Sequence, residues 1–132
     1  MRDATIPSIL RINNQVIVLP EISDLDRHLG AARQAKYSDI SLELGNEATY
    51  LLTNRDEDRA FLVYLTQDND GGYHGVTEDD PDSQAVVGFL LSNGQRDEWE
   101  VQETVALEDG FRALKHFSLY GGRAPFIAWH AD

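Results

Sequence analysis

The fold of this chain is decided by residues 106–129, ALEDGFRALKHFSLYGGRAPFIAW. Apolar side chains recur in its first half at helical spacing, at Leu107, Phe111, Leu114 and Phe117. This spacing predicts an amphipathic helix whose apolar face packs on another layer of the protein. Gly121 and Gly122 favour the left-handed backbone that ends a helix, and Pro125 prevents its continuation. Residues 126–129 then alternate as a short strand, so the segment predicts a helix folded back onto a strand.

Most of the preceding chain is predicted to form strands, because short β-rich or alternating runs are separated by turn residues. These runs cover residues 15–19, 40–44, 49–53, 60–66, 85–91 and 98–101. The run 60–66 is almost continuously apolar, which indicates a central strand buried on both faces. Asn93 and Gly94 are the strongest hairpin signal, while residues 67–75 are predicted to form a polar, glycine-rich loop. Residues 5–12 are either an edge strand or a lead-in.

A second helix is predicted after the first strand. Ser23, with Asp26 three residues later, is a capping-box pattern that opens a helix reaching about Lys36. The resulting order of elements is β-α-β-β-β-β-β-α-β. Consecutive strands with two helices indicate an α+β domain with a mostly antiparallel sheet and both helices on one face. The length of 132 residues, without a linker or a low-complexity tract, predicts a single domain over residues 1–132.

The composition limits the cellular compartment and the kinds of functional site that are expected. There is no cysteine, which excludes disulfides, thiolate metal sites and a cysteine nucleophile, and suits a reducing environment. No apolar run approaches the roughly 20 residues needed to span a bilayer. The first residues also lack the long apolar segment of a signal peptide. We therefore expect a cytoplasmic protein that does not act at a membrane.

The net charge is strongly negative and unevenly distributed. The chain has 23 acidic and 11 basic residues, a net charge of −12. Residues 54–109 alone carry fifteen acids and three bases, whereas residues 110–132 carry one acid and three bases. Such a surface repels nucleic acid and anionic lipid and speeds association with a basic partner. The simpler alternative is that the acidic surface only keeps the protein soluble.

No pattern predicts a metal site or a cofactor, and no residue is assigned a catalytic role. The four histidines lack metal-ligand spacing, and no serine lies in a nucleophile elbow. His74, beside Tyr73 in the glycine-rich loop, is the histidine most typical of an active site, so a small enzyme that uses His74 or a carboxylate pair stays an alternative. Residues 68–72 resemble half of a calcium loop, but the glycine is misplaced and Asp79 stands where a bidentate glutamate is needed. Only weak calcium binding is compatible with that loop.

Two groups of carboxylates flank the predicted strand 85–91, and they are the candidates for a binding surface. Because a strand exposes alternate residues, Glu98 and Glu100 share a face opposite Trp99, which is itself more typical of the core. If the two groups converge at one edge, they form a surface for a basic partner, with Tyr73 as an aromatic anchor. A solvated rim is the alternative. The candidate partner-binding residues are Tyr73, Glu78, Asp79, Asp80, Asp82, Asp97, Glu98 and Glu100.

The closing segment resembles the C-terminal signature of immunity protein family one of the bacterial polymorphic toxin systems. Members typically end in a helix, a phenylalanine, a glycine, a proline and a hydrophobic-x-tryptophan strand. The corresponding residues here are Phe117, Gly121 or Gly122, Pro125 and Ile127-Ala128-Trp129. The resemblance extends over residues 14–130, and its specific part is the closing segment. The chain departs from the family in lacking a proline just before the closing helix.

The resemblance implies a cytoplasmic protein, not an enzyme, that binds and neutralises a cognate toxin, often a deaminase or nuclease domain. Toxins that act on nucleic acid tend to be basic, which agrees with the acidic middle of this chain. The family signature implies structural positions, so it transfers no catalytic residue. A generic acidic module with another basic protein partner remains a further alternative.

Overall fold

The computed structural model describes residues 8–19, 25–66, 72–77 and 85–132, without the side chains of Val18 and Leu19. Two α-helices lie in these ranges, α1 (Leu25–Gln34) and α2 (Leu107–Tyr120). No helix among these residues is long and apolar enough to cross a membrane. The ten strands are β1 (Ser8–Ile12), β2 (Gln15–Leu19), β3 (Tyr37–Leu44), β4 (Glu47–Asn54), β5 (Arg59–Thr66), β6 (Tyr73–Val76), β7 (Val86–Leu90), β8 (Arg96–Glu100), β9 (Val105–Ala106) and β10 (Ala128–Ala131).

The described strands form two antiparallel sheets. The larger sheet has the order β10-β6-β5-β4-β3-β1-β2, and β9 pairs with β5 next to this path. The second sheet is the β7–β8 hairpin, which pairs with no other described strand. All pairings are antiparallel, and both helices pack in one core, so the predicted α+β class with helices on one face is confirmed.

The face of the large sheet that carries the helices, called the helix side, holds the main core. Leu42, Leu51 and Leu62 lie on neighbouring strands and are completely buried. The helices contribute their apolar stripes to this core, at Leu25, Leu29, Ala32, Phe111, Leu114 and Phe117. Full burial of one such large side chain stabilises the fold by about 1.5–3 kcal/mol, so the matching stripes position both helices.

The opposite face, called the hairpin side, is covered by the β7–β8 hairpin. Phe61 of β5 packs there against Val87 and Phe89, which are 2% and 0% exposed. Val63, two residues along β5, packs at the edge of this second core. β5 is therefore buried on both faces, as its continuous apolar run predicted.

The signals for helix and hairpin ends are also confirmed. Gly121 has a φ of 71°, and its backbone N–H donates to the carbonyl oxygen of Phe117 at 2.8 Å, which ends α2. Gly94 has a φ of 89° in the loop that joins β7 to β8. Leu91 N–H donates to the carbonyl oxygen of Gln95 across that loop at 2.9 Å.

The predicted strands 85–91 and 98–101 correspond to β7 and β8, and they form a separate sheet because their inward side chains pack on the face of the large sheet. Other predicted elements differ from the structure. Residues 73–75, predicted as the end of the 67–75 loop, belong to β6 (Tyr73–Val76), since β5 and β10 supply hydrogen-bond partners on both sides. The sequence offered no signal for the short β9.

Two further boundaries differ from the prediction. β1 is not an edge strand but lies between β2 and β3. The closing strand runs over 128–131 instead of 126–129. α1 ends at Gln34, two residues before the predicted end, and its predicted cap Ser23 lies outside the described residues.

The two helices contain a matched pair of glycines that test the helix–sheet packing. At Gly110 in α2, an added Cβ lies 2.8 Å from Leu51 Cδ1 and 2.9 Å from Ala60 Cβ, whereas Gly30 in α1 has nothing within 4 Å. We expect Gly110→Ala to lower the free energy of unfolding by about 1–3 kcal/mol through overpacking. Gly30→Ala should raise it by about 0.5–1 kcal/mol through helix propensity. Urea unfolding measures both, and equal effects would contradict this packing.

Candidate partner-binding surface

The outward side of the β7–β8 hairpin is the part of the predicted acidic surface that the structure describes. Val87, Phe89 and Trp99 face the large sheet, so the alternate residues face away from it. We call these outward residues the hairpin face; they are Val86, Gly88 and Leu90 on β7 and Arg96, Glu98 and Glu100 on β8.

A packed layer beneath the hairpin face holds it in place. The rings of Phe61 and Trp99 stack at a centroid distance of 4.1 Å, with 27° between their planes. Trp99 is therefore partly buried and packs against the hairpin-side core, on the inward side that was predicted for it. Asn54 Nδ2 also donates to the carbonyl oxygen of Gly88 at 2.7 Å, and Ser92 N–H donates to Asp39 Oδ2 at 2.8 Å.

The carboxylates of β8 differ in orientation and in their partners. Glu98 and Glu100 are exposed on the same face, as predicted. Glu98 has no hydrogen bond or ion pair within the described part of the chain, whereas Glu100 accepts a hydrogen bond from Gln102 Nε2 at 2.8 Å. Asp97 alternates to the inward side, where it pairs across the strands with Phe89 and accepts from Gln95 Nε2 at 2.9 Å. Asp97 is thus not a member of the hairpin face.

The second predicted group of carboxylates cannot be placed beside this face. Glu78, Asp79, Asp80 and Asp82 lie outside the described residues, and so does most of the possible calcium loop at 68–72. The predicted convergence of the two acidic groups stays a prediction.

Tyr73 lies on the other side of the sheet, so its predicted role as anchor of the acidic surface is wrong. Register pairs Tyr73 with Tyr64, and Tyr64 belongs to the helix-side core, where its ring meets Phe117 edge-on at 6.0 Å. Tyr73 packs against the same core, and the guanidinium of Arg123 lies 3.9 Å from its ring centroid. Adjacent residues of a strand face opposite sides, which separates Tyr73 from the hairpin face by the thickness of the sheet.

His74 is buried on the hairpin side of the large sheet and contacts two carboxylates. Its Nδ1 lies 2.7 Å from Asp132 Oδ1, and its Nε2 meets Glu103 Oε2. The ring also stacks on Phe61, at a centroid distance of 5.9 Å, and touches His130 edge-on. Both ring nitrogens are occupied, so neither is free to take a proton from a substrate in this arrangement. The geometry suits a structural link between β6, β10 and the 3₁₀ turn at Val101–Glu103.

The described residues do not assemble a metal site. No group of three or more histidine, aspartate or glutamate side chains in these ranges is arranged to hold a metal. One depression of about 290 Å³ lies at the β3–β4 turn, lined by residues that include Glu43, Tyr50 and Leu65. Another of about 370 Å³ lies between Arg123 and Trp129. Neither depression includes His74.

No protein-family model matches this chain, and no curated protein matches it either. The assignment of a function therefore depends on the residues and their geometry.

Among the described residues, the strongly shifted pKa belongs to Tyr64, on the helix side. Burial raises the pKa of Tyr64 from 10.0 to about 12, and its hydrogen bond to Glu47 contributes. The hydroxyl donates to Glu47 Oε1 at 2.6 Å, and the same oxygen accepts from Gly122 N–H at 3.0 Å. This carboxylate therefore joins β5 to the end of α2.

Tyr64 should make the fold sensitive to alkali. Because its folded pKa is above the unfolded value, its contribution to stability is fully present below pH 10 and is lost as the pH rises through about 12. In Tyr64→Phe we expect the free energy of unfolding to fall less steeply over this interval. At neutral pH, the lost hydrogen bond should cost about 1 kcal/mol. Urea unfolding over this pH range measures both effects, and parallel profiles for the two proteins would argue against the shifted pKa.

The stack of Phe61 on Trp99 should control how firmly the hairpin is held. We expect Phe61→Leu to destabilise the protein by about 0.5–3 kcal/mol and to speed amide hydrogen exchange selectively in β7 and β8. Phe111→Leu, in the helix-side core, is the matched control. It should not accelerate amide hydrogen exchange selectively in β7 and β8. Exchange measured residue by residue distinguishes these outcomes. Equal acceleration in β7 and in β3 for Phe61→Leu would contradict a separate hairpin-side core.

Proposed function

We propose that this chain is an immunity protein that binds a cognate bacterial toxin and occludes its active or substrate-binding face. The observation that carries the proposal is the hairpin face, where Glu98 and Glu100 are exposed on a packed platform beside an exposed Val86. The toxin of this proposal is basic and acts on nucleic acid, as a deaminase or a nuclease. The compartment in which the two proteins meet is the cytoplasm.

Charge supports a basic partner. The hairpin lies within residues 54–109, the region with fifteen acids and three bases. A protein that binds nucleic acid needs a positive surface to neutralise phosphates, and an acidic inhibitor is complementary to that surface. Complementary charge also accelerates encounter and excludes partners of the same sign. An acidic inhibitor therefore gains both speed and selectivity.

The closing segment, which carries the family resemblance, has a structural role in the fold. Binding in this proposal is a function of another part of the chain. Ile127 is only 8% exposed, and the indole Nε1 of Trp129 donates to the carbonyl oxygen of Ala124 at 2.9 Å. These residues pack in or against the helix-side core. A closing segment whose residues have structural roles is compatible with a scaffold whose exposed face meets the toxin.

The alternative enzyme has less support from the geometry. It requires a free acid or base near a concave site, whereas each ring nitrogen of His74 contacts a carboxylate. A generic acidic module has the same surface and differs only in its partner. Identification of the partner therefore separates the remaining possibilities.

The first experiment is growth of cells that co-express this chain with the protein encoded directly upstream of it. We expect that protein to be toxic alone and harmless when this chain is present. A harmless neighbour, or toxicity that this chain does not relieve, counts against the proposal.

The second experiment tests the surface by reversing one charge. We expect Glu98→Lys to slow association with the toxin about tenfold and to flatten its dependence on salt. Glu57→Lys, in the turn between β4 and β5, changes the net charge equally and serves as the matched control. Stopped-flow kinetics at several ionic strengths measures both variants. If Glu98→Lys and Glu57→Lys behave alike, net charge alone steers the encounter and the hairpin face is not the interface.

A further inference from the structure

The hairpin face consists of an apolar column beside a charged one. Cross-strand pairs place Val86 opposite Glu100, Gly88 opposite Glu98, and Leu90 opposite Arg96. Directly opposed residues on one face have Cβ positions about 5 Å apart, so each outward position of β7 adjoins a charged side chain of β8. An exposed acidic surface is thus bordered by aliphatic side chains.

Gly88 leaves a gap in the apolar column. A Cβ built at Gly88 meets no heavy atom within 4 Å, and the backbone there is not in the left-handed region. Neither packing nor conformation therefore requires glycine at this position. Outward neighbours on a strand are about 6.6 Å apart, so the gap between Val86 and Leu90 spans about 13 Å, and an extended aliphatic chain lying over Gly88 adjoins both side chains. Its aliphatic walls are accessible, because Val86 is 56% exposed.

The two ends of the apolar column lie beside charges of opposite sign. Glu98, directly across from Gly88, is free of ion pairs within the described residues, and Glu100 lies next to it on the same face. Arg96 occupies the other end, opposite Leu90, with its guanidinium 5.9 Å from the ring centroid of Tyr37. A cation is attracted at the Val86 end and repelled at the Leu90 end.

We propose that the gap at Gly88 receives a lysine or arginine side chain of the partner protein. The aliphatic stem lies across Gly88 between Val86 and Leu90, and the cationic head reaches the carboxylate of Glu98. Long basic side chains combine an apolar stem with a charged end, which matches an apolar gap beside an unpaired carboxylate. This inference rests on the proposed function, because a basic toxin is the source of that side chain.

The site differs from a general acidic surface in its dependence on shape. Glu98 and Glu100 alone attract any cation, and their attraction weakens with salt. The stem contact adds apolar burial that a short cation lacks. A side chain added at Gly88 removes this contact without altering any charge.

The experiment is an amide NMR titration of the full chain with two acetylated peptides of equal length, oligolysine and an oligomer of 2,4-diaminobutyric acid, at a mildly acidic pH where both are fully protonated. We expect both peptides to shift the amide signals of the hairpin face, and oligolysine to bind more tightly. Gly88→Val should weaken oligolysine binding about tenfold and leave the short-stemmed peptide unaffected. Gly30→Val is the matched control, because Gly30 also has open space around it, and it should bind like the unmodified chain.

The fold of Gly88→Val is checked by thermal unfolding, where we expect no loss of stability, since valine favours strands and meets no atom at this position. If the folded Gly88→Val variant binds oligolysine unchanged, the gap does not hold the stem and this inference is overturned, while the acidic surface survives. If neither peptide shifts the hairpin face, the inference and the proposed surface both fail. A preference for oligolysine that Gly88→Val abolishes supports the gap as the site.

Discussion

The burial of β5 on both faces is the constraint on which the rest of this structure depends. Leu62 points into the helix-side core, and Phe61 points into the hairpin-side core. Because successive side chains of a strand face opposite sides, β5 contributes side chains to both cores. The strands β4, β6 and β9 each form antiparallel pairs with β5. The helices and the hairpin take the positions that this alternation leaves for them.

Close approach on the helix side and aromatic stacking on the hairpin side are two results of this constraint. α2 lies near β5 because Gly110 presents no side chain to Ala60 and Leu51. On the other face, the ring of Phe61 supports Trp99 and, through it, the exposed carboxylates of β8. A charged surface on a packed base loses little conformational freedom on binding, which favours affinity. The acidic hairpin is therefore suited to recognition as well as to solubility.

Local patterns predicted the parts of the fold whose physics is local. The apolar stripe of α2, its glycine end and the hairpin at Asn93-Gly94 depend on residues close in sequence, and all three are confirmed. The outward orientation of Glu98 and Glu100 followed from strand alternation in the same way. The strand β6 was missed because its four residues have few neighbours of β character and depend on β5 and β10 for pairing.

Local patterns predicted only part of the candidate site as well. His74 was the histidine most typical of an active site in the predicted loop, but its partners Glu103 and Asp132 are 29 and 58 residues away in the chain. Tyr73 looked like an anchor for the acidic surface, but pairing with Tyr64 turns its side chain to the helix side. Neither outcome has a local signal, because both depend on which strands become neighbours.

The sequence by itself determined the α+β class, the two amphipathic helices, the hairpin and the strong acidity, since periodicity, turn residues and charge are properties of short segments. Only the tertiary structure decided that the hairpin forms a second sheet on the far face, and that Gly88 opens a gap beside Glu98. These features depend on contacts between strands distant in sequence. The local sequence pattern around a side chain is the same whether these contacts bury it or leave it exposed. Packing against the second face of β5 decides which of the two occurs.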